Sequence, residues 1–285
     1  MKAQNTEIIQ AYNRPLTFYL LATAIPWCLW LISGYLSHLT PYTQQLKWAT
    51  SALGAAGLAA PLLIASWFIF PNEILRKDFM GRFVNFITIK PHYLLITVFL
   101  MLVSILAAQA ISLLFGYSID QFQLRNTFSF SSGIFPVWLL LVVAPLLEEL
   151  AWHSYGTDCL RSRFNLFNAS LLFAIFWAFW HFPLSSIKDY YHSNLVESGL
   201  IYSINFAVSL IPFVLIMNWL YYKTNRNILL TVVFHITAGF FNELFATHPM
   251  SKVIQTGLLL ILSAFLVLTN RDLFFNTISN PSINN

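Results

Sequence analysis

The sequence predicts an all-α membrane protein, a bundle of about eight transmembrane helices, on three observations. Of its 285 residues 58% are hydrophobic and only 9% are charged, where a soluble chain carries roughly a quarter charged. Apolar runs of about 20 residues, enough to cross roughly 30 Å of hydrocarbon, recur between charged or turn-forming boundaries. The runs lack the period-two alternation of a membrane β-barrel, and a helix is the other structure that satisfies its own backbone polar groups in lipid.

The runs fall at about 16–36, 48–70, 93–116, 135–161, 167–183, 198–222, 227–246 and 252–269. The first is as long as a full span and lacks a small-residue cleavage site, so it reads as a retained helix rather than a secretory signal. Between the second and third, NEILRKDFMGRFVNFITIK sets Ile74, Phe79, Phe83 and Phe86 at helical spacing among Arg76, Lys77, Arg82 and Lys90. That predicts a basic amphipathic helix lying on the inner membrane face. The fifth run is short. The polar stretch after it, 184–197, reads as a plain surface connection, with a lid or substrate-entrance role the lesser reading. His38, His92, His192 and His248 fall in such connections and are expected to be solvated. The final NTISNPSINN has the composition of a disordered tail. No linker or change of composition divides the chain, so 1–285 reads as one polytopic membrane domain.

A formal charge of +4 does not call for nucleic acid, because basic residues in a membrane protein set its orientation. Assigning loops alternately to two sides leaves Lys47, Arg125, Lys188 and Lys252 on one side and the other eleven of the 15 Lys and Arg on the other. This predicts a multi-pass protein of the cell membrane with both termini cytoplasmic. Cys28 and Cys159 form no Cys-x-x-Cys or Cys/His cluster and read as packing residues.

Ionisable side chains inside the apolar runs are costly and are functional candidates by default. They are Glu148, Glu149, His153, His181, His235 and Glu243. At 1.5 Å per residue, Glu148 and His181 each lie about 21 Å from the helix hairpin near residues 162–167, and so share one depth. His235 lies only about 12 Å from the start of its helix at Asn227, so it joins them only if that helix begins deeper or tilts. Glu149 and His153 are i, i+4 neighbours, as are Trp177 and His181, while Glu148 and Glu149 point about 100° apart. One glutamate can therefore face a cavity while the other supports it.

These residues resemble the CAAX-protease and bacteriocin-processing family of intramembrane endopeptidases, also known as type II CAAX prenyl endopeptidases or the Abi family. Its Glu-Glu-x-x-x-Arg motif appears as Glu148-Glu149-Leu-Ala-Trp152-His153, its Phe-x-x-x-His motif as Trp177-Ala-Phe-Trp180-His181, and its His-x-x-x-Asn motif as His235-Ile-Thr-Ala-Gly239. The likeness covers about 135–245. It implies an eight-helix bundle with an intramembrane catalytic cavity, in which Glu148 and His181 activate a water against a peptide carbonyl. His235 would serve the oxyanion or a metal, and Glu149 would support. His153 stands in place of the arginine and Gly239 in place of the asparagine, with Asn242, about two turns from His235, or Glu243 as substitute donors. A zinc ion held by His181, His235 and Glu148 is one version of the chemistry, and a metal-independent glutamate mechanism is the other.

The expected function is hydrolysis of membrane-embedded or lipid-modified peptides, with the bilayer and a membrane peptide or protein substrate as partners. Two other classes remain open on the sequence. A catalytically impaired relative would bind a peptide or partner protein as an immunity or scaffold protein does, and the departures at His153 and Gly239 point that way. A proton-coupled transporter would use the same residues as a relay, but the paired, interrupted halves of such proteins are missing. The tryptophans Trp152, Trp177 and Trp180 have a simpler reading as helix packing, although Trp177 also sits within the second motif.

Overall fold

A computed structural model of the chain describes residues 2–83 and 89–277. A short helix α1 (Lys2–Ala11) precedes the first span α2 (Pro15–Ser37), which turns back into α3 (Gln44–Ile69). Then come α4 (Glu73–Phe83), α5 (Pro91–Leu113), and α6 (Val137–Ala151), which runs through a π-helical turn at Trp152–Gly156 into α7 (Thr157–Arg161). The chain returns along α8 (Leu166–Trp180), crosses a 3-10 turn (Phe182–Ser186) and α9 (Tyr191–Ser198), and finishes with α10 (Leu200–Lys223), α11 (Ile228–Leu244), α12 (Pro249–Thr269) and α13 (Arg271–Phe275).

Seven of these segments, counting α6 to α7 as one and α8 with its 3-10 turn as another, are long and apolar enough to cross a membrane. The remaining predicted run, 227–246, is α11, apolar but only 17 residues long. The protein is therefore an all-α, multi-pass membrane protein whose spans lie within a few residues of the predicted runs. Local chemistry sets the boundaries. Pro15 and Pro91 open their helices at a position that needs no N–H. Asn165 and Asn227 cap theirs, accepting from the N–H of Asn168 at 2.8 Å and Leu230 at 3.0 Å.

Helices α2 and α3 form a tight pair in which Trp30 donates from Nε1 to the carbonyl of Gly54 at 3.0 Å. A Cβ on Gly57 would lie 2.3 Å from that same Nε1, so the close approach requires glycine there. Helix α3 packs on α6, α6 on α11, and α11 on α5, while α10 packs on α8 and α12. Leu210 and every residue from Pro212 to Tyr221 are buried, making the second half of α10 the centre of the bundle, as befits a helix apolar on all sides. Leu20, Leu63, Phe99, Ile261 and Leu268 are exposed on the outside, where lipid is their solvent.

The predicted amphipathic helix is a helix over Glu73–Phe83, with Phe79 and Phe83 packed inward and Arg76 and Lys77 exposed, but two residues change places. Ile74 is 57% exposed and Arg82 only 4%; Phe86 lies outside the described residues. The reason is a buried ionic cluster at the end of the bundle that carries the termini. Asp158 accepts from Arg82 at 2.9 Å, from Arg226 at 2.5 Å, and from the hydroxyls of Tyr221 at 2.9 Å and Tyr222 at 2.7 Å. Asp78 accepts from both terminal nitrogens of Arg226, at 3.0 and 2.9 Å, and from Tyr12 at 2.6 Å. Burial works against the charge on Arg82, yet Tyr221, Tyr12 and Asp158 outweigh it and its pKa stands above the ordinary arginine value. Arg82 also donates to the carbonyls of His153 at 2.9 Å and Ser154 at 2.8 Å, within the π-helical turn. The cluster thus ties α1, α4 and the α10–α11 turn to the helix that carries the candidate residues.

At the opposite end two connections form a roof. Ser131 donates its N–H to the carbonyl of Asp189 at 2.8 Å, and Asn194 donates to the carbonyl of Ser129 at 2.8 Å. Glu243, at the end of α11, accepts from the N–H of Ser129 at 2.9 Å. This carboxylate, a functional candidate by its depth, is occupied in holding the roof.

Candidate active site

Glu148 and Glu149 lie on the last full turn of α6, 6% and 0% exposed. They point apart as the helical geometry predicts. Trp177 of α8 donates from Nε1 to Glu148 Oε2 at 3.0 Å, leaving the other carboxylate oxygen without a named claim on it. Glu149 bridges two histidines: His153, one turn along the same helix, bonds Oε2 through Nδ1, and His235 of α11 bonds Oε1 through Nδ1 at 2.8 Å.

His235 therefore does reach the depth of the glutamates. Its helix begins inside the bundle, since Thr224, Arg226 and Asn227 before it are all buried. That start is held by the ionic cluster described above.

His181 closes α8. Its Nδ1 meets the carbonyl of Trp177 at 2.7 Å, a contact only a protonated nitrogen makes favourably, so in the neutral ring Nε2 carries the lone pair. Trp177 consequently holds both groups, one through its indole and one through its backbone. Its ring also packs edge-on to His235, with centroids 5.3 Å apart. Trp180 is a packing residue, as expected, and donates to the carbonyl of Ala22 at 2.8 Å; Trp152 packs edge-on to Trp180, and its indole N–H faces Glu148.

His153 is pinned on both sides. Ser170 donates to the carbonyl of Leu166 at 2.7 Å and so receives Nδ2 of Asn218 at 2.8 Å, which turns the Asn218 oxygen toward His153 Nε2 at 3.0 Å. Both ring nitrogens of His153 thus face acceptors, the arrangement of an imidazolium. Asn218 was not anticipated. An amide within the apolar run 198–222 was the available signal.

Two cavities meet at this point. One, of about 350 Å³, runs between α2, α3 and α6 and is lined by Trp30, Thr50, Leu58, Val143 and Leu147. The other, of about 270 Å³, runs between α5, α10, α11 and α12 and is lined by Met101, Trp177, Phe213, His235 and Gly239. Glu148, His181, Tyr190 and His192 belong to both. Tyr42, Ser131, Lys188 and Asp189 on the lining of the first are exposed, which places its mouth at the roof, away from the termini.

The segment 187–199 is therefore no plain surface connection. Tyr190, Tyr191 and His192 lean into the site, and His192 is not solvated: neither ring nitrogen has a partner or contact with solvent. Burial, with Glu243 adding to it, pushes the Tyr191 hydroxyl up to about 12, so it remains a donor.

Gly239 lines the second cavity, and a Cβ there would meet only Leu141 at 3.5 Å, an ordinary contact. Asn242 lines the same cavity, but its amide turns to Glu243 at 3.2 Å and Tyr191 at 3.4 Å. It is held as part of the roof rather than aimed at the glutamates. Among the described residues no group of three His, Cys, Asp or Glu side chains is placed to hold a metal ion as it stands. The Nδ1 bonds of His181 and His235 are of the kind found behind metal ligands.

The chain is similar to known proteins along nearly its whole length. A family model described as type II CAAX prenyl endopeptidase Rce1-like matches residues 130–241, from the roof to the end of the third motif. CAAX prenyl protease 2 of Methanococcus maripaludis is 35% identical over 266 residues, which cover 93% of this chain and 96% of that protein. The likeness thus extends beyond the motifs to the flanking helices. A glutamate pair, a Trp177–His181 turn and a third-helix histidine, brought together inside a bundle related along nearly its whole length to a prenyl protease, put this chain in the type II CAAX prenyl endopeptidase family, a membrane-embedded peptidase.

Proposed function

We propose that the protein cuts membrane-embedded or lipid-modified peptides, using Glu148 as the base that activates water. The observation that carries this reading is that Glu148 and His181, both held by Trp177, sit where the two cavities meet. A water between the free oxygen of Glu148 and Nε2 of His181 loses a proton to the glutamate as its oxygen attacks the peptide carbonyl carbon. The resulting oxyanion is stabilised by His235 as an imidazolium, whose Nδ1–H is anchored on Glu149 and whose Nε2–H is left to donate into the second cavity that the ring lines. Protonated Glu148 then returns the proton to the departing amine as the C–N bond breaks.

His153 takes the place of the family's arginine as an imidazolium on Glu149, keeping a cation beside that carboxylate. Gly239 supplies no donor, so His235 carries the oxyanion without the usual amide. The impaired-binder reading gains no support from the arrangement. The mechanism needs no metal held by Glu148, His181 and His235. The relative's printed name makes a prenylated C-terminal peptide the first substrate to try.

The test is cleavage of a fluorogenic peptide carrying a farnesylated cysteine by the detergent-purified protein. Cleavage should vanish in Glu148→Ala and persist in EDTA or 1,10-phenanthroline. Full activity of Glu148→Ala would sink the mechanism, and loss of wild-type activity in chelator would require a metal.

A further inference from the structure

Of the described histidines and glutamates at the meeting of the cavities, one lacks a protein partner. Glu148 has Trp177, Glu149 has His153 and His235, and His181 has the Trp177 carbonyl. His192 has neither: Nδ1 and Nε2 are both cut off from solvent and unpartnered. Its ring lies nearly parallel on His181, with centroids 5.0 Å apart and planes at 22°, and is met edge-on by Phe206 at 4.8 Å. Packing alone would be served better by phenylalanine, because an unpaired buried polar group costs stability that an apolar ring of the same shape does not.

Such an orphan is expected where a ligand completes the hydrogen bonding. Burial, with His181 second, holds the His192 pKa well below the ordinary histidine value. A neutral imidazole offers one donor and one acceptor on separate edges of the ring. That is the complement of a peptide backbone, which presents a carbonyl acceptor and an N–H donor in turn. His192 also borders both cavities, directly above the ring that would orient the attacking water.

We propose that His192 is a substrate-binding residue that hydrogen-bonds the backbone of the peptide beside the scissile bond. The proposal rests on the reading of Glu148 and His181 as the hydrolytic centre. In it α9 is part of the site: Tyr190 and Tyr191 set the roof, and the histidine reads the peptide chain without regard to side-chain identity. The two nitrogens touch no open space in the free protein, so α9 shifts slightly as bound peptide enters and supplies the partners they lack.

The experiment compares wild type with His192→Phe and His192→Gln, measuring kcat, KM and thermal unfolding in detergent with the farnesylated fluorogenic peptide. His192→Phe should lower kcat/KM by about tenfold, chiefly through KM, as loss of one hydrogen bond would. Its melting temperature should equal or exceed that of wild type, and His192→Gln should recover part of the lost affinity. Wild-type kcat/KM in His192→Phe overturns the proposal. A fall in melting temperature that accompanies the loss in both variants also overturns it, since that marks a packing role. Anisotropy of a labelled farnesyl peptide on Glu148→Ala and on Glu148→Ala/His192→Phe separates the two readings. Weaker binding by the double variant supports His192 even where Glu148→Ala still cleaves, and equal binding removes His192 whatever Glu148 does.

Discussion

The ionic cluster at the terminal end and the polar cluster under the cavities are built from similar side chains, yet they are finished differently. Around Asp158 and Asp78, two arginines and three tyrosines spend their hydrogen bonds on each other or on the π-helical turn. Around Glu148 the bonding stops short: one carboxylate oxygen, one nitrogen of His181 and both of His192 are left for something else. A closed polar network holds a fold together, while an open one holds a place for a reactant. The two are joined through His153, whose carbonyl belongs to the first and whose ring belongs to the second.

Substitutions can test that division. Glu148→Ala should show the largest effect, a loss of about a thousandfold or more in kcat with unfolding temperature unchanged or raised. Comparing turnover with a detergent melt of the same preparation checks it; a protein that melts early would place Glu148 in the architecture instead. Asp158→Ala should behave in the opposite sense. It leaves two buried guanidiniums short of a counter-ion, which costs about 3–5 kcal/mol, and the yield of monodisperse protein on size exclusion should collapse. A well-folded Asp158→Ala protein would deny the cluster its structural role.

A smaller effect is expected at the residue that serves both groups of the reacting pair. Trp177→Phe keeps the ring but removes the N–H that holds Glu148 Oε2, and kcat should fall about tenfold with little change in stability. An unchanged kcat would show that the glutamate needs no such clamp. Smallest should be a gain: Gly239→Asn has room for its Cβ, and an amide facing the cavity should raise kcat by about fivefold as a second oxyanion donor. A drop in kcat would place the new side chain in the path of the substrate.

The spans and motif residues were legible because they depend on local chemistry. Apolar length marks a crossing, and i, i+4 spacing already pairs Glu149 with His153. The depth of Glu148 and His181 followed from rise per residue alone. His235 needed more, since its place depends on a helix start drawn inward by Arg226 and Asn227, which read as an ordinary turn. Arg82 was read on the wrong face of α4 for the same reason. Its partners Asp158 and Tyr221 lie 76 and 139 residues further along the chain, and periodicity within one segment cannot report a pairing at that range. Asp158 itself lay in plain view as a carboxylate within the fourth apolar run. His192 was hidden differently: a polar stretch suggested solvent, whereas the roof contacts of Ser131 and Asn194 fold that stretch over the site.

The mouth beside Tyr42, Ser131 and Lys188 lies at the opposite end of the bundle from helices α1 and α13. In a bilayer this divides the molecule between compartments, so a reporter fused to either terminus sits across the membrane from the mouth through which a soluble peptide segment reaches Glu148. Were the termini cytoplasmic, as the count of basic residues predicts, the mouth would open toward the far leaflet. A processed cytoplasmic tail would demand the reverse insertion. Locating one terminal tag by protease protection in sealed vesicles therefore names the supply route of the substrate before any substrate is known.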